Sequence, residues 1–232
     1  MLLPEMKIIQ DNYSRVILET RFYNYKKTFI DTEQIIKITG LKIRHQNPPE
    51  DITENIAKFI IHNYENDNSC EWCKSIGLNG DLYSKKYKSL IEIKAFTSPG
   101  PSSFGPTKKF DKIYFLDMQK WLEDIFVLWK VNVNHEPKEW INLKINKTQT
   151  FQDQCTQGRR PHLSWFHIYN QIPEKREKIY NGSFDGVFEY SSCNATNRLA
   201  INSTTGNDTA LPANLYKLES EILGSINEDG KP

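Results

Sequence analysis

Residues 80–96, GDLYSKKYKSLIEIKAF, carry two apolar runs about a lysine-rich middle. The second run alternates cleanly, so the segment predicts two strands joined by a turn. Side chains on a strand alternate between faces. Ile91, Ile93 and Ala95 therefore point into the interior, and Glu92 and Lys94 sit side by side on the other face. If the segment is a hairpin, Asp81 stands next to them on the partner strand. Two carboxylates and one ammonium then converge on the edge of a cleft. An edge strand that turns a Glu/Lys face to water, as a guard against aggregation, has the same pattern.

Such a trio has a chemical use. Mg²⁺ prefers oxygen ligands and keeps several waters, so one or two carboxylates suffice to hold it. Asp81 and Glu92 are candidate ligands, with the backbone carbonyl of Ile93 as a third oxygen. A metal held there lowers the pKa of a bound water and offsets charge building on a phosphate. Lys94 would orient the nucleophile and stabilise the transition state.

Asp81-x10-Glu92-Ile93-Lys94 resembles the Asp…Glu-x-Lys signature of the PD-(D/E)XK nuclease superfamily. The Pro/Gly/Ser-rich loop that follows is similar to that of some type II restriction endonucleases. The resemblance covers residues 80–111, and Gly80 stands where the motif has its proline. It implies an α+β fold with a central mixed sheet flanked by helices. It also implies Mg²⁺-dependent, site-specific cleavage of double-stranded DNA by a homodimer. Asp81 and Glu92 take the metal-ligand places, Ile93 the carbonyl place and Lys94 that of the catalytic lysine. A junction or repair nuclease on the same core, and a non-catalytic DNA-binding protein using the lysines, are the rival readings.

The strand runs into TSPGPSSFGPTKK (residues 97–109). Pro99, Pro101 and Pro106 pre-set the backbone there, and Gly100 and Gly105 permit close approach. Ser98, Ser102, Ser103, Thr107, Lys108 and Lys109 offer donors for phosphate oxygens. Residues 84–109 hold six lysines against the single Glu92. From Ser183 onward there are seven acidic and three basic residues, so a basic patch and an acidic tail are expected. Gln152, Gln154, Gln157, Arg159 and Arg160, with His162 close by, are candidates for base reading, because these side chains include those that pair bidentately with purines; an ordinary solvated loop has the same composition. Arg44–Asn47 is a second, shorter candidate that runs into two prolines.

Farther out, DITENIAKFIIHNY predicts a helix begun by Asp51, with Ile52, Ile56, Phe59, Ile60 and Asn63 on one side. Residues 5–45 read as mixed strand and helix. DKIYFLDM, FVLWKVNV and KEWINLKIN read as strands, QKWLEDI as a helical turn, and residues 148–162 as an exposed loop. HLSWFHIYNQI is either helix or strand. Residues 191–207 read as a long surface loop before a short C-terminal helix, NLYKLESEI. Interleaved strands and helices give a mixed sheet with helices packed on it. The expected organisation is a single nuclease domain over 1–232, with a catalytic core at about 50–146 and reading and dimerisation elements at about 147–232.

The whole chain of 232 residues has 30 basic and 29 acidic residues and a net charge of +1. That balance argues against a general polycation. At 38% hydrophobic and 12% aromatic it buries a sizeable core. No apolar run approaches the ~20 residues of a membrane span, and no secretory leader opens the chain, so a cytoplasmic protein is expected. Cys70-x2-Cys73 is half of a zinc pattern, but no second Cys-x2-Cys or His pair follows it, and two ordinary cysteines are the preferred reading.

Overall fold

One helix, α1 (Pro4–Thr39), occupies the segment predicted as mixed strand and helix. Leu18 and Phe22 are buried in the core, and Tyr25 and Phe29 pack against it. That spacing of four, three and four residues keeps them on one helical face. Val16, Ile17, Ile30, Ile35 and Ile38 are exposed on the same helix. Apolar residues all round it hide the stripe that would have marked a helix. The computed structural model describes residues 4–107, 109–132 and 138–189, with side chains from Ser14 onward. All of them fall in the compact unit Met1–Ser191. Lys108, the loop at 191–207 and the predicted C-terminal helix lie outside the described residues.

Helix α2 (Glu50–Tyr64) follows the expected pattern, burying Ile52, Ile56, Ala57, Ile60 and Ile61. Its N-cap is Pro49 and no side chain caps it, so Asp51 is not the starter. Glu50 and Asp51 instead lie in the first turn, where acidic side chains suit the positive end of the helix. Asn63 donates to the Val187 carbonyl at 2.8 Å.

The strands are β1 (Cys70–Trp72), β2 (Leu82–Ser84), β3 (Ser89–Phe96), β4 (Ser102–Ser103), β5 (Lys112–Lys120), β6 (Ile125–Val131), β7 (His162–Leu163) and β8 (Arg176–Gly182). Six make one sheet in the order β1-β2-β3-β5-β6-β8, and β4 and β7 form a small ribbon of their own. β2 and β3 are the expected antiparallel hairpin, with Leu82 opposite Ile91. β3 and β5 run parallel, with Glu92 beside Ile113 and Lys94 beside Phe115. The result is an α+β fold with a mixed central sheet flanked by helices. β3 lies inside it, so the exposed-edge reading of its Glu/Lys face fails.

Both faces of the sheet are covered. α1 and α2 lie over Ile91, Ile93, Tyr114, Leu116, Met118 and Leu128 on one side. On the other, Ile113, Phe115 and Val131 meet a second cluster built on Phe104, Phe110, Trp140, Phe151, Leu163 and Ile168. KEWINLKIN, predicted as a strand, is instead helix α3 (Lys138–Ile141) followed by irregular chain. Its alternation misleads because Trp140 and Leu143, three residues apart, are the pair that enters the second cluster. The predicted loop at 148–162 contains helix α4 (Phe151–Thr156). HLSWFHIYNQI divides into β7 and helix α5 (Trp165–Gln171). No helix among the described residues is long and apolar enough to cross a membrane.

Candidate active site

β2 ends where it meets Ile91, while β3 continues to Phe96. Extending the register by one residue sets Asp81 opposite Glu92, on the same face. Asp81 Oδ2 accepts the backbone N–H of Ile93 at 2.8 Å, in place of a ladder partner. The N–H and C=O of one strand residue point to the same side, so the Ile93 carbonyl also lies on the flank where Asp81 stands. Gly80 has φ +141°, and a Cβ there would meet Cys73 Sγ at 3.0 Å. Proline is locked near −65°. The chain can deliver Asp81 from this turn only without the motif's proline.

Glu92 is fully buried, at 0% exposure. A buried carboxylate needs a compensating charge, and Lys94 Nζ supplies it 2.6 Å from Oε1. The Lys94 side chain is 18% exposed, so the pair runs from the interior out to the edge of the sheet. The Phe104 ring lies against the same ammonium, with its centroid 5.1 Å from Nζ. Glu92 sits deeper than the cleft edge expected, because the second aromatic cluster packs on this face. An open cleft of 580 Å³ lies elsewhere, lined by α1, α2 and β1 residues such as Arg21, Lys58 and Glu71, and it includes none of the trio.

The donor set fits a hard cation. Asp81, Glu92 and the Ile93 carbonyl are all oxygen donors, and two carboxylates with waters meet the needs of Mg²⁺. No group of three or more His, Cys, Asp or Glu residues arranged for a metal occurs among the described residues. Cys70 and Cys73 are both buried, and burial pushes the Cys70 thiol pKa up.

The other site residues divide by place. Ser98 follows the end of β3, whereas the chain at Lys109 has come back to its start, since Asp111 N–H donates to the Leu90 carbonyl at 2.8 Å. An eight-residue strand is about 25 Å long, so the loop's donors do not gather at one point. Lys85 is paired with Glu71 at 2.6 Å, and Lys112 lies over the Tyr87 ring. The lysines of the hairpin turn therefore occupy the end of β3 away from Ser98.

In contrast, the middle of the loop and the arginine segment do meet. Ser102 pairs with Leu163 and Ser103 with His162, and Arg160 Nε donates to Ser103 Oγ at 3.0 Å. Arg159, Arg160 and His162 are exposed there. Gln154 is only 5% exposed and donates to Gln149 Oε1 at 3.1 Å, so it is placed in the packing of α4 and not on the surface. His45, from the shorter candidate reader, stacks on Phe29 and meets Glu33, which ties that segment to α1. Sequence reasoning missed β8 altogether, and it missed Phe104, whose only signal was an aromatic residue inside a Ser/Gly/Pro loop.

An α+β protein with a mixed sheet and a partly buried Asp/Glu/Lys set at its hairpin is the class that fold and site define. The model of the Bsp6I restriction endonuclease family matches residues 17–175. The chain belongs to that family. It is 33% identical over 90 residues to the type II restriction enzyme Bsp6I of Bacillus sp. (strain RFL6), an overlap of 38% of this chain and 50% of that protein. The chain thus spans about half the length of the curated relative it matches. No solved structure matches it.

Proposed function

We propose that this protein is a type II restriction endonuclease of the PD-(D/E)XK kind, a Mg²⁺-dependent enzyme that cuts double-stranded DNA at a specific site as a homodimer. What supports the reading is that Asp81 accepts from the Ile93 N–H of β3 while Lys94 pairs with Glu92 on the same strand, all inside the stretch matched by the family. The name of the relative, a type II restriction enzyme, supports the same activity.

In this reading Asp81, Glu92 and the Ile93 carbonyl hold the metal, which supplies an acidified water and charge neutralisation at the phosphate. Water attacks phosphorus in line. Lys94 orients that water and donates to the oxygen on which charge builds, and Glu92 holds the ammonium in place. The polar ribbon of β4 and β7, with Ser102, Ser103, Arg159 and Arg160, contacts the DNA; Ser98, Lys108 and Lys109 add phosphate contacts. Arg159 and Arg160 are the base-reading candidates.

The test is direct. Phage DNA incubated with the purified protein and Mg²⁺ should give discrete fragments with one common end sequence, and EDTA should stop their formation. Lys94→Ala should slow cleavage by at least about 100-fold while leaving DNA binding measurable in a gel-shift assay. Cleavage by that variant at the wild-type rate would end the assignment. Cutting of branched DNA alone would move the protein to the repair nucleases.

A further inference from the structure

The ammonium of Lys94 touches two groups of opposite character: the Glu92 carboxylate at 2.6 Å and the face of Phe104, 5.1 Å from its centroid. The ring is 2% exposed and is held edge-on by Trp140 and Phe151, with centroids 5.6 Å from each. The two rings pack against it. The backbone that carries it is also fixed. Phe104 N–H donates to the Pro161 carbonyl at 2.9 Å, and the preceding residue, Ser103, is both the strand partner of His162 and the acceptor for Arg160.

We infer that Phe104 is a positioning residue for Lys94, and that it ties the placement of the ammonium to the β4–β7 ribbon. An ammonium over an aromatic face is attracted by the ring quadrupole, and the attraction grows when water is excluded. The carboxylate sets how far Lys94 can swing along the strand, and the ring sets how far it can rise from the sheet. This ring belongs to the residue next to Ser103, where Arg160 joins the ribbon. A phosphate bound at Ser103 and Arg160 therefore loads the same short segment that seats the lysine.

The inference rests on the nuclease reading, and its test separates the two. Phe104 is replaced by phenylalanines bearing one, two and three ring fluorines, which weaken the quadrupole in steps with little change of shape. Single-turnover cleavage with Mg²⁺ should slow with each fluorine and reach about a tenfold loss at three. The dissociation constant for DNA and the melting temperature should stay at their wild-type values. F104L, which keeps the apolar bulk and removes the ring, should cleave at least as slowly as the trifluoro variant.

A flat series, with cleavage independent of fluorination while Lys94→Ala is inactive, overturns the role of Phe104 and leaves the nuclease reading standing. A series in which affinity or melting temperature falls in step with rate reduces Phe104 to a packing residue and also overturns the inference. A wild-type protein that cuts no DNA ends both.

Discussion

Asp67 is a buried carboxylate with every oxygen engaged. Oδ1 accepts from the Ser69 hydroxyl at 2.6 Å and from its N–H at 3.2 Å, and Oδ2 accepts from Ser84 Oγ at 2.5 Å. Burial alone would raise its pKa, but these donors outweigh that and hold it below the ordinary value. A lowered carboxylate pKa stabilises the fold above the unfolded value, near pH 4, and the contribution is lost as pH falls through the folded value. Ser84→Ala removes one donor from a buried charge, so it should cost about 1–3 kcal/mol at neutral pH, read from the urea midpoint. The pKa then climbs back toward normal, and the acid limb of the stability curve should flatten. An acid limb as steep as wild type would show that Ser84 does not hold the carboxylate. Ser84 sits on β2, three residues from Asp81, so the same hairpin carries a stability site on one face and the candidate active site on the other.

Helix α4 is only six residues long and owes its existence to its first turn. Thr150 Oγ1 accepts from the Asp153 N–H at 3.2 Å, and Asp153 Oδ2 accepts from the Thr150 N–H at 2.8 Å, a reciprocal cap. The signal Thr150-x-x-Asp153 was present in the sequence, but the glutamines around it read as a solvated loop. Only Phe151 and Gln154 are buried, so no apolar periodicity exists to reveal a helix this short. Thr150→Ala should lower stability by about 1 kcal/mol in urea denaturation. Retention of the full wild-type midpoint would mean that tertiary contacts of Phe151, not the cap, form the turn. By contrast, α2 and the β2–β3 hairpin were legible, because their apolar residues repeat over enough turns or pleats to define a face. α1 was not. Among its described side chains, from Ser14 onward, few are buried, and the exposed isoleucines blur the period.

For the whole molecule, a net charge of +1 gives no long-range pull on DNA, so the proposed binding must come from local cations. Affinity should fall as salt rises, with a slope of about 0.9 per phosphate contact on a log–log plot. Arg159→Ala together with Arg160→Ala should lower that slope by up to about two if both arginines meet phosphates. If they read bases, the slope should stay and discrimination between sites should drop. An unchanged slope with unchanged specificity would remove the β4–β7 ribbon from the interface. The proposed homodimer should sediment as twice 27.1 kDa, and its two-fold axis should show as a palindromic cleavage site.

Alternation along LIEIKAF by itself determined that Glu92 and Lys94 share a face, because the side-chain period of a strand is a local property of the backbone. Two apolar runs about a lysine-rich turn likewise pointed to the hairpin of β2 and β3. Only the tertiary structure decided what that face meets. β3 became an interior strand through its parallel pairing with β5, a contact between segments some twenty residues apart. Phe104, Trp140 and Phe151 then closed over the pair from regions that share no local pattern. Burial is a sum over distant neighbours, and no window of sequence contains that sum.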